Sequence, residues 1–136
     1  MADVEFIDIS SQMHGDIRGF GFFPWQGGVA DPREVVRTCH LFSILPGHTR
    51  GNHYHPGHVE WLFTFHGAGV FLWEAAGEIR ERQVFGNSTM IRIPPGINHA
   101  LTNPGPEILY LLAWREVSGG GPTEPESVRR VVRPGP

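Results

Sequence analysis

The residues best suited to metal chemistry are two histidines and a glutamate within one short stretch of the chain. His53 and His55 are two residues apart, and Glu60 follows five residues later, across a turn marked by Pro56 and Gly57. Residues two apart on a β-strand share a face, so both imidazoles can point into one cavity. The tight turn can then bring the carboxylate of Glu60 beside the two rings.

A third histidine, from a distant part of the sequence, completes a candidate metal site. His99 comes just after Pro94-Pro95-Gly96, at the predicted start of another strand. Three imidazoles and one carboxylate are enough donors for one divalent transition metal and leave positions open for substrate. Zinc is the metal we predict first, and iron, nickel, manganese, cobalt and copper accept the same donors. The alternative is a metal-free barrel in which His53 and His55 carry out acid–base chemistry directly.

Further side chains are candidates for the chemistry around this site. Arg50 lies in the loop that leads to the histidine pair, and its guanidinium can bind a phosphate or carboxylate; the alternative is a surface arginine bonded to loop carbonyls. His40 lies on the predicted strand before the site and can line a substrate pocket. Glu60, if it leaves the metal, and His66, which has the same strand parity, are candidate catalytic groups for proton transfer. A satisfied buried histidine is the alternative for His66.

The chain that carries these residues has the pattern of an all-β protein. Gly and Pro number 18 and 12 in 136 residues, which favours turns and short strands over long helices. No segment carries a helical period over about eleven residues, and β-branched or aromatic runs predict seven or eight strands. These runs are 4–9, 35–44, 59–66, 69–74, 79–85, 89–93, 100–102 and 108–116.

The segments between the predicted strands also carry expectations. Residues 45–52 read as a loop, and residues 14–28 read as a Gly-rich, aromatic arm. Trp61, Phe63 and Phe65 alternate on the face opposite Glu60, and we expect them to pack outward against this arm. His48 and His58 flank loops, where we expect them at the surface or at the cavity rim.

Composition excludes several classes of protein. All eleven cationic side chains are arginine, so a Schiff-base lysine, a lysine general base and a Walker A lysine are excluded. The net charge of −3 argues against nucleic-acid binding, and Cys39, the only cysteine, excludes an internal disulfide. No stretch approaches the ~18 apolar residues of a membrane span, and the amino terminus lacks the pattern of a signal peptide. We therefore predict a cytoplasmic protein.

The spacing of the candidate ligands resembles the two motifs of the cupin superfamily. The first is Gly47-x5-His53-x-His55-x4-Glu60-x6-Gly67, and the second is Pro94-x-Gly96-x2-His99-x3-Asn103. Ser88 departs from the pattern, because the second motif normally opens there with a glycine, and Gly86 lies two residues earlier. The resemblance implies a double-stranded β-helix, the jelly-roll barrel of the cupins, with a metal held by His53, His55, Glu60 and His99.

A narrower resemblance concerns bacterial polysaccharide and deoxysugar biosynthesis. The segments 50–55 (RGNHYH) and 93–96 (IPPG) resemble the cupin domains of capsular polysaccharide assembling proteins and of nucleotide-sugar 3,4-ketoisomerases. Asp16-Ile17-Arg18-Gly19 is similar to a stretch of dTDP-4-dehydrorhamnose 3,5-epimerases. The ketoisomerases and epimerases work without a metal, whereas the capsular type keeps the His/His/Glu/His set, so the presence of Glu60 favours the metal-bound kind.

The resemblance implies an enzyme of isomerase or epimerase type that acts on a sugar or nucleotide sugar in polysaccharide biosynthesis. A metal-dependent binding module without turnover and a metal-dependent dioxygenase are the alternatives. We expect a small polar or anionic molecule as ligand. A homodimer is also expected, because closing a small barrel leaves edges that a partner strand can cover. Residues 1–117 are predicted to form the barrel with its arm, and residues 118–136 a poorly ordered tail or a segment that crosses to the partner.

Overall fold

The computed structural model describes residues 2–86, 88–117 and 127–132. Within these ranges the chain forms two five-stranded antiparallel sheets, a separate hairpin, one short α-helix and a 3₁₀ turn at Ser10–Gln12. The elements are β1 (Glu5–Asp8), β2 (His14–Asp16), β3 (Gly19–Gly21), α1 (Pro32–Thr38), β4 (His40–Ile44), β5 (Thr49–Tyr54), β6 (His58–His66), β7 (Ala68–Ala75), β8 (Glu78–Phe85), β9 (Thr89–Ile93), β10 (His99–Thr102), β11 (Leu109–Val117) and β12 (Val128–Arg129).

The two large sheets face each other as in a jelly roll. One sheet has the strand order β1-β9-β6-β11-β4, and the other has the order β12-β5-β10-β7-β8. Most neighbours in a sheet are far apart in sequence, so the chain crosses repeatedly between the sheets, as in the double Greek key. The prediction of an all-β double-stranded β-helix is confirmed. No helix within the described ranges has the length and apolarity needed to cross a membrane.

The main core lies between the sheets and gives way to polar side chains at one end. Leu62, Phe71, Ile91 and Leu111 are among its fully or almost fully buried members. On β6 the inward-facing residue that precedes Leu62 by two positions is Glu60, which is also buried. The change from apolar to polar side chains along one strand face marks the end of the barrel where the candidate site lies.

The outer face of the first sheet is covered by the amino-terminal arm. The Phe22 ring lies 5.0 Å from the Phe63 ring, and the Trp25 ring lies 5.4 Å from that of Trp114. Trp61 and Phe65 belong to the same apolar cluster. The expectation that the aromatic residues of β6 pack outward against the arm is confirmed.

The predicted strand 35–44 is wrong in its first half, where the chain forms α1. The side chain of Asp31 accepts a hydrogen bond from Arg33 N at 3.0 Å, and Pro32 occupies the first helical turn, where its missing N–H costs nothing. Glu34 and Arg37 form an ion pair one turn apart, with 2.7 Å between Oε1 and Nη2. A helix of seven residues is too short to show a period over eleven residues, so these local signals decided the structure.

Two turns differ from the sequence expectation. The predicted loop 45–52 is shorter, because β5 already begins at Thr49. Before β9, Gly86 rather than residue 88 makes the close approach: a Cβ at Gly86 would lie 3.0 Å from the backbone N and Cα of His66. Ser88 lies in the turn and donates a hydrogen bond from its hydroxyl to Phe85 O at 3.1 Å.

Part of the predicted tail is an ordered strand. Residues 118–126 and 133–136 lie outside the described residues, but β12 pairs with β5, placing Val128 opposite Tyr54 and Arg129 opposite His53. Beyond β12, Val132 is 6% exposed and packs with Leu72 and Ala100 on the outer face of the second sheet. We call residues 127–132 the carboxy-terminal strap.

Candidate metal centre

Four side chains from three different strand ends converge at the polar end of the barrel. His53 lies on β5, His55 directly follows it, Glu60 lies near the start of β6, and His99 is the first residue of β10. One potential ligand atom from each of the four lies within 4.8 Å of every other. His55, Glu60 and His99 are 2%, 6% and 3% exposed, and His53 is half-buried.

The backbone brings the histidines together through a close approach of β5 and β10. Gly51 has a φ of 95°, and a Cβ there would lie 2.9 Å from His99 O, so only glycine fits without a shift. This contact places His99 opposite His53, and the two rings lie 4.9 Å apart. The loop that precedes β10 is tied to the first motif, because Gly96 N donates to His55 O at 2.9 Å.

The donor set fits a transition-metal ion. His99 Nδ1 lies 3.0 Å from Ile97 O, so Nδ1–H donates there and the lone pair of a neutral ring is on Nε2. That Nε2 lies 3.3 Å from Glu60 Oε1, and His55 Nε2 lies 2.9 Å from Glu60 Oε2. Nitrogen lone pairs and carboxylate oxygens repel each other at these distances, so a cation has to lie between them. A proton can fill this role, and a metal ion bound by three nitrogens and one oxygen can replace it.

The protonation states favour the metal-binding forms. Burial, followed by the nearby charge of His99, lowers the pKa of His53 to about 4, so its ring is neutral at pH 7. Burial raises the pKa of Glu60, but hydrogen bonds from His55 and His99 outweigh it, and this pKa lies well below its usual range. At neutral pH the site therefore contains a neutral imidazole at His53 and an ionised carboxylate at Glu60, which are the protonation states in which these groups bind metals.

A pocket of about 150 Å³ opens onto the cluster. His40 and Arg50, the two substrate-binding candidates from the sequence, both line it. The Nδ1 of His40 lies 2.9 Å from Thr38 O, so Nδ1–H donates and Nε2 keeps the lone pair. Arg50 donates from Nε to Ser43 O at 2.9 Å, and its guanidinium lies 5.8 Å from the centre of the Phe42 ring. Both side chains are thus held at the rim of the pocket.

Two other histidines lie elsewhere than expected. His58, expected at the surface or the rim, is completely buried, because it shares the inward face of β6 with Glu60; its ring lies 6.5 Å from that of His55. The structure does not bring His66 to the cluster, although it has the parity of Glu60, because six residues of strand separate the two by about 20 Å. The His66 side chain is 54% exposed and lies 3.4 Å from Glu107.

Sequence reasoning missed one charged residue of the pocket, Arg115. It lies on β11 directly opposite Glu60, and its Nε is 3.6 Å from Glu60 Oε2. The signal was present in the sequence: Leu109, Leu111, Ala113 and Arg115 alternate along β11, and the first three are buried in the core. Continuing this alternation past the last apolar residue would have placed Arg115 on the inner face.

Comparisons with known proteins agree with this geometry. The family model described as "Polysaccharide biosynthesis C-terminal domain" matches residues 33–118, which include every member of the four-residue cluster. The capsular polysaccharide assembling protein CapF of Staphylococcus aureus is 27% identical over 69% of this chain, with a TM-score of 0.60. The chain spans only about a quarter of the length of CapF, since the match covers 26% of that protein. The resemblance to cupins of polysaccharide biosynthesis is confirmed.

Sugar isomerases share the fold over almost the whole chain. QdtA, a sugar 3,4-ketoisomerase of Thermoanaerobacterium thermosaccharolyticum solved in complex with TDP, is 16% identical, with a TM-score of 0.72 over 96% of this chain and 90% of QdtA. A 3,4-ketoisomerase of Helicobacter canadensis is 15% identical, with a TM-score of 0.72 over 95% of this chain and 92% of that one. A search of proteins with curated descriptions finds no match.

Proposed function

The chain belongs to the family of polysaccharide biosynthesis C-terminal domains, and from that premise we propose that it is a metal-dependent isomerase or epimerase of a sugar or nucleotide sugar. The observation that carries the proposal is the buried His/His/Glu/His cluster at the floor of a pocket with an arginine at its rim. A divalent metal bound by His53, His55, Glu60 and His99, with zinc as our first choice, would act as a Lewis acid that polarises a carbonyl oxygen of the substrate.

Isomerisation and epimerisation begin with the same proton transfer. A base takes the proton from the carbon next to the carbonyl; the electron pair of that C–H bond forms the C=C bond of an enolate, and the π pair of the carbonyl moves onto its oxygen. Return of the proton to the opposite face of the same carbon inverts it. Return of the proton to the former carbonyl carbon moves the keto group by one position, provided that the neighbouring hydroxyl passes its proton to the former carbonyl oxygen and so becomes the new carbonyl.

His40 is the residue of the pocket best placed to be this base. Its Nδ1–H is committed to Thr38 O, which leaves the lone pair of Nε2 as proton acceptor. The ring stacks on Phe42 with 5.4 Å between centroids, which restrains its orientation. His40 is exposed at the rim, so a proton taken from the substrate can exchange with solvent.

The dimensions of the pocket support a substrate with two parts. A volume of about 150 Å³ is below the ~300–1,000 Å³ typical of sites that enclose drug-sized ligands, so the cavity suits a single sugar unit. Arg50 borders both this cavity and a second depression of about 420 Å³ lined by Ser43, Leu45 and His48. A phosphate on Arg50 would let the sugar enter the cavity while a nucleoside extends along the depression.

Hydrogen exchange from solvent tests the proposal. The zinc-loaded protein is incubated in D₂O with TDP-4-keto-6-deoxyglucose, the ligand of a QdtA complex, and mass spectrometry measures deuterium on the sugar. We expect incorporation next to the keto group and a loss of about 100-fold or more in rate for His40→Asn at unchanged zinc content. His14→Asn, on the exposed β2–β3 hairpin, is the matched control.

Other outcomes separate the alternatives. Zinc binding without deuterium incorporation, combined with thermal stabilisation by the same sugar nucleotide, would instead support a metal-dependent binding module. Oxygen consumption by the iron-loaded protein would support a dioxygenase. The homodimer and the cytoplasmic location remain predictions.

A further inference from the structure

We propose that Arg115 stabilises a negatively charged oxygen beside the metal position, whether the ligand brings that charge or the reaction forms it there. This inference rests on the proposed metal site and adds to it a residue that faces the ligand. The ligand chemistry it implies is that of a small oxyanion, such as a carboxylate or the enolate oxygen formed when a proton leaves a carbon next to a carbonyl.

The position of Arg115 is the first argument. It is the cross-strand partner of Glu60, and its Nε lies 3.6 Å from Glu60 Oε2. Its side chain is 20% exposed, and it lines the same cavity as His53, Glu60 and His99. Any ligand atom that reaches the four donor atoms through this cavity therefore comes close to the guanidinium.

The charge balance of the cavity is the second argument. Among the residues that line it, Glu60 is the one carboxylate, and two guanidinium groups, those of Arg50 and Arg115, line the same cavity. A divalent ion at the cluster would add two more positive charges to this lining. In a partly buried site these charges favour a ligand that brings negative charge, so a neutral ligand binds less favourably than an anion of similar size.

The third argument is that the backbone of Arg115 is fixed from outside the barrel. Arg115 N donates to the hydroxyl of Thr38 at 2.9 Å, and this hydroxyl in turn lies 2.8 Å from Glu34 O. The end of α1 therefore holds β11 at the residue that carries the guanidinium. Because the backbone that carries the guanidinium is held before the ligand arrives, less reorganisation is needed to stabilise charge there.

Anion affinity at constant metal content separates this role from that of a structural partner of Glu60. Zinc-loaded protein is titrated with oxalate, a small planar oxyanion, and with imidazole, a neutral metal ligand, by isothermal titration calorimetry. For Arg115→Met we expect about 10- to 100-fold weaker oxalate binding, less than threefold change for imidazole, and the same zinc content as the wild type.

A matched control removes the same charge from the outer face of the sheet. Arg92 lies on β9, with its guanidinium 5.9 Å from the Trp61 ring, and Arg92→Met should leave both affinities within threefold. If Arg115→Met does not hold zinc, Arg115→Gln, which keeps a donor towards Glu60, replaces it with the same expected result.

The outcomes identify which proposal fails. Equal oxalate affinity in the wild type and the variant, or parallel weakening of oxalate and imidazole, would overturn the role of Arg115 and leave the metal site intact. A wild-type protein that takes up no zinc would overturn the proposed function and this inference together.

Discussion

The carboxy-terminal strap offers the sharpest test of the fold around the candidate site, through two adjacent valines. Val132 is 6% exposed and packs with Leu72 and Ala100, whereas Val131 is 48% exposed. The same substitution by alanine therefore removes the same atoms from a buried and from an exposed position. We expect Val132→Ala to destabilise the protein and Val131→Ala to have almost no effect.

The expected magnitude follows from the buried methyl groups. Removing two methyl-sized groups from a packed site costs about 1.5–2.5 kcal/mol, from about 0.8 kcal/mol for each group plus a cavity contribution. The same substitution at an exposed position away from such packing lowers the free energy of unfolding by less than about 0.5 kcal/mol. At about 4 °C per kcal/mol for a chain of this size, the melting temperature should fall by about 6–10 °C for Val132→Ala.

Urea unfolding of both variants gives the difference in unfolding free energy, and hydrogen exchange locates it. Because the strap pairs with the end of β5 at residues 52–54, the amides of 52–54 should exchange faster in Val132→Ala than in Val131→Ala. Equal stability of the two variants, or unchanged exchange along β5, would refute the inference that the strap is docked on the strand that carries His53.

Three further predictions concern the site and its supports. His99→Ala should lose most bound zinc, measured by elemental analysis, and keep its β-sheet circular dichroism, while His14→Ala on the exposed hairpin keeps its zinc. Gly86→Ala should cost about 1–3 kcal/mol in urea unfolding, because the new Cβ meets the backbone of His66 at 3.0 Å, whereas Gly27→Ala, with open space around it, should cost almost nothing. In the metal-free protein, the free energy of unfolding should fall as the pH drops from about 6.5 to about 4. In this range the unfolded chain takes up a proton at His53, whereas the folded protein does not, because its His53 pKa is lowered to about 4. We expect about 1 kcal/mol from this half-exposed group after solvent screening, visible as a shallower pH dependence in His53→Asn.

Most of the candidate metal site was predictable from the sequence because its signals are local. His53 and His55 share a strand face by spacing alone, and the short turn limits where Glu60 can lie. The motif resemblance supplied His99, which spacing cannot connect to the first three residues. The structure brings all four within reach of one ion.

Arg115, α1 and the strap were not predicted, for different physical reasons. The inward position of Arg115 follows from the alternation along β11, but its place opposite Glu60 depends on β11 pairing with β6, and strand order is a property of the tertiary fold. The helix depends on the Asp31 cap and on Pro32. These signals act within one helical turn and produce no hydrophobic period over a longer stretch of sequence. The strap depends on Val132 finding an apolar site on the outer sheet face, in a segment whose composition otherwise resembles a flexible end.

The polar end of the barrel is stabilised by apolar packing on the outer faces of the two sheets. There the inner face carries His55, Glu60 and His99, which are buried and contribute little apolar packing between the sheets. The strands that hold them are instead supported from their outer faces: the Trp114 cluster covers β6 and β11, and Val132 covers β10 next to His99. A barrel that places its chemistry on the inside at one end must move apolar packing to the outside at that end. We therefore expect substitutions in these outer clusters to loosen the His/His/Glu/His cluster while leaving the opposite end of the barrel packed.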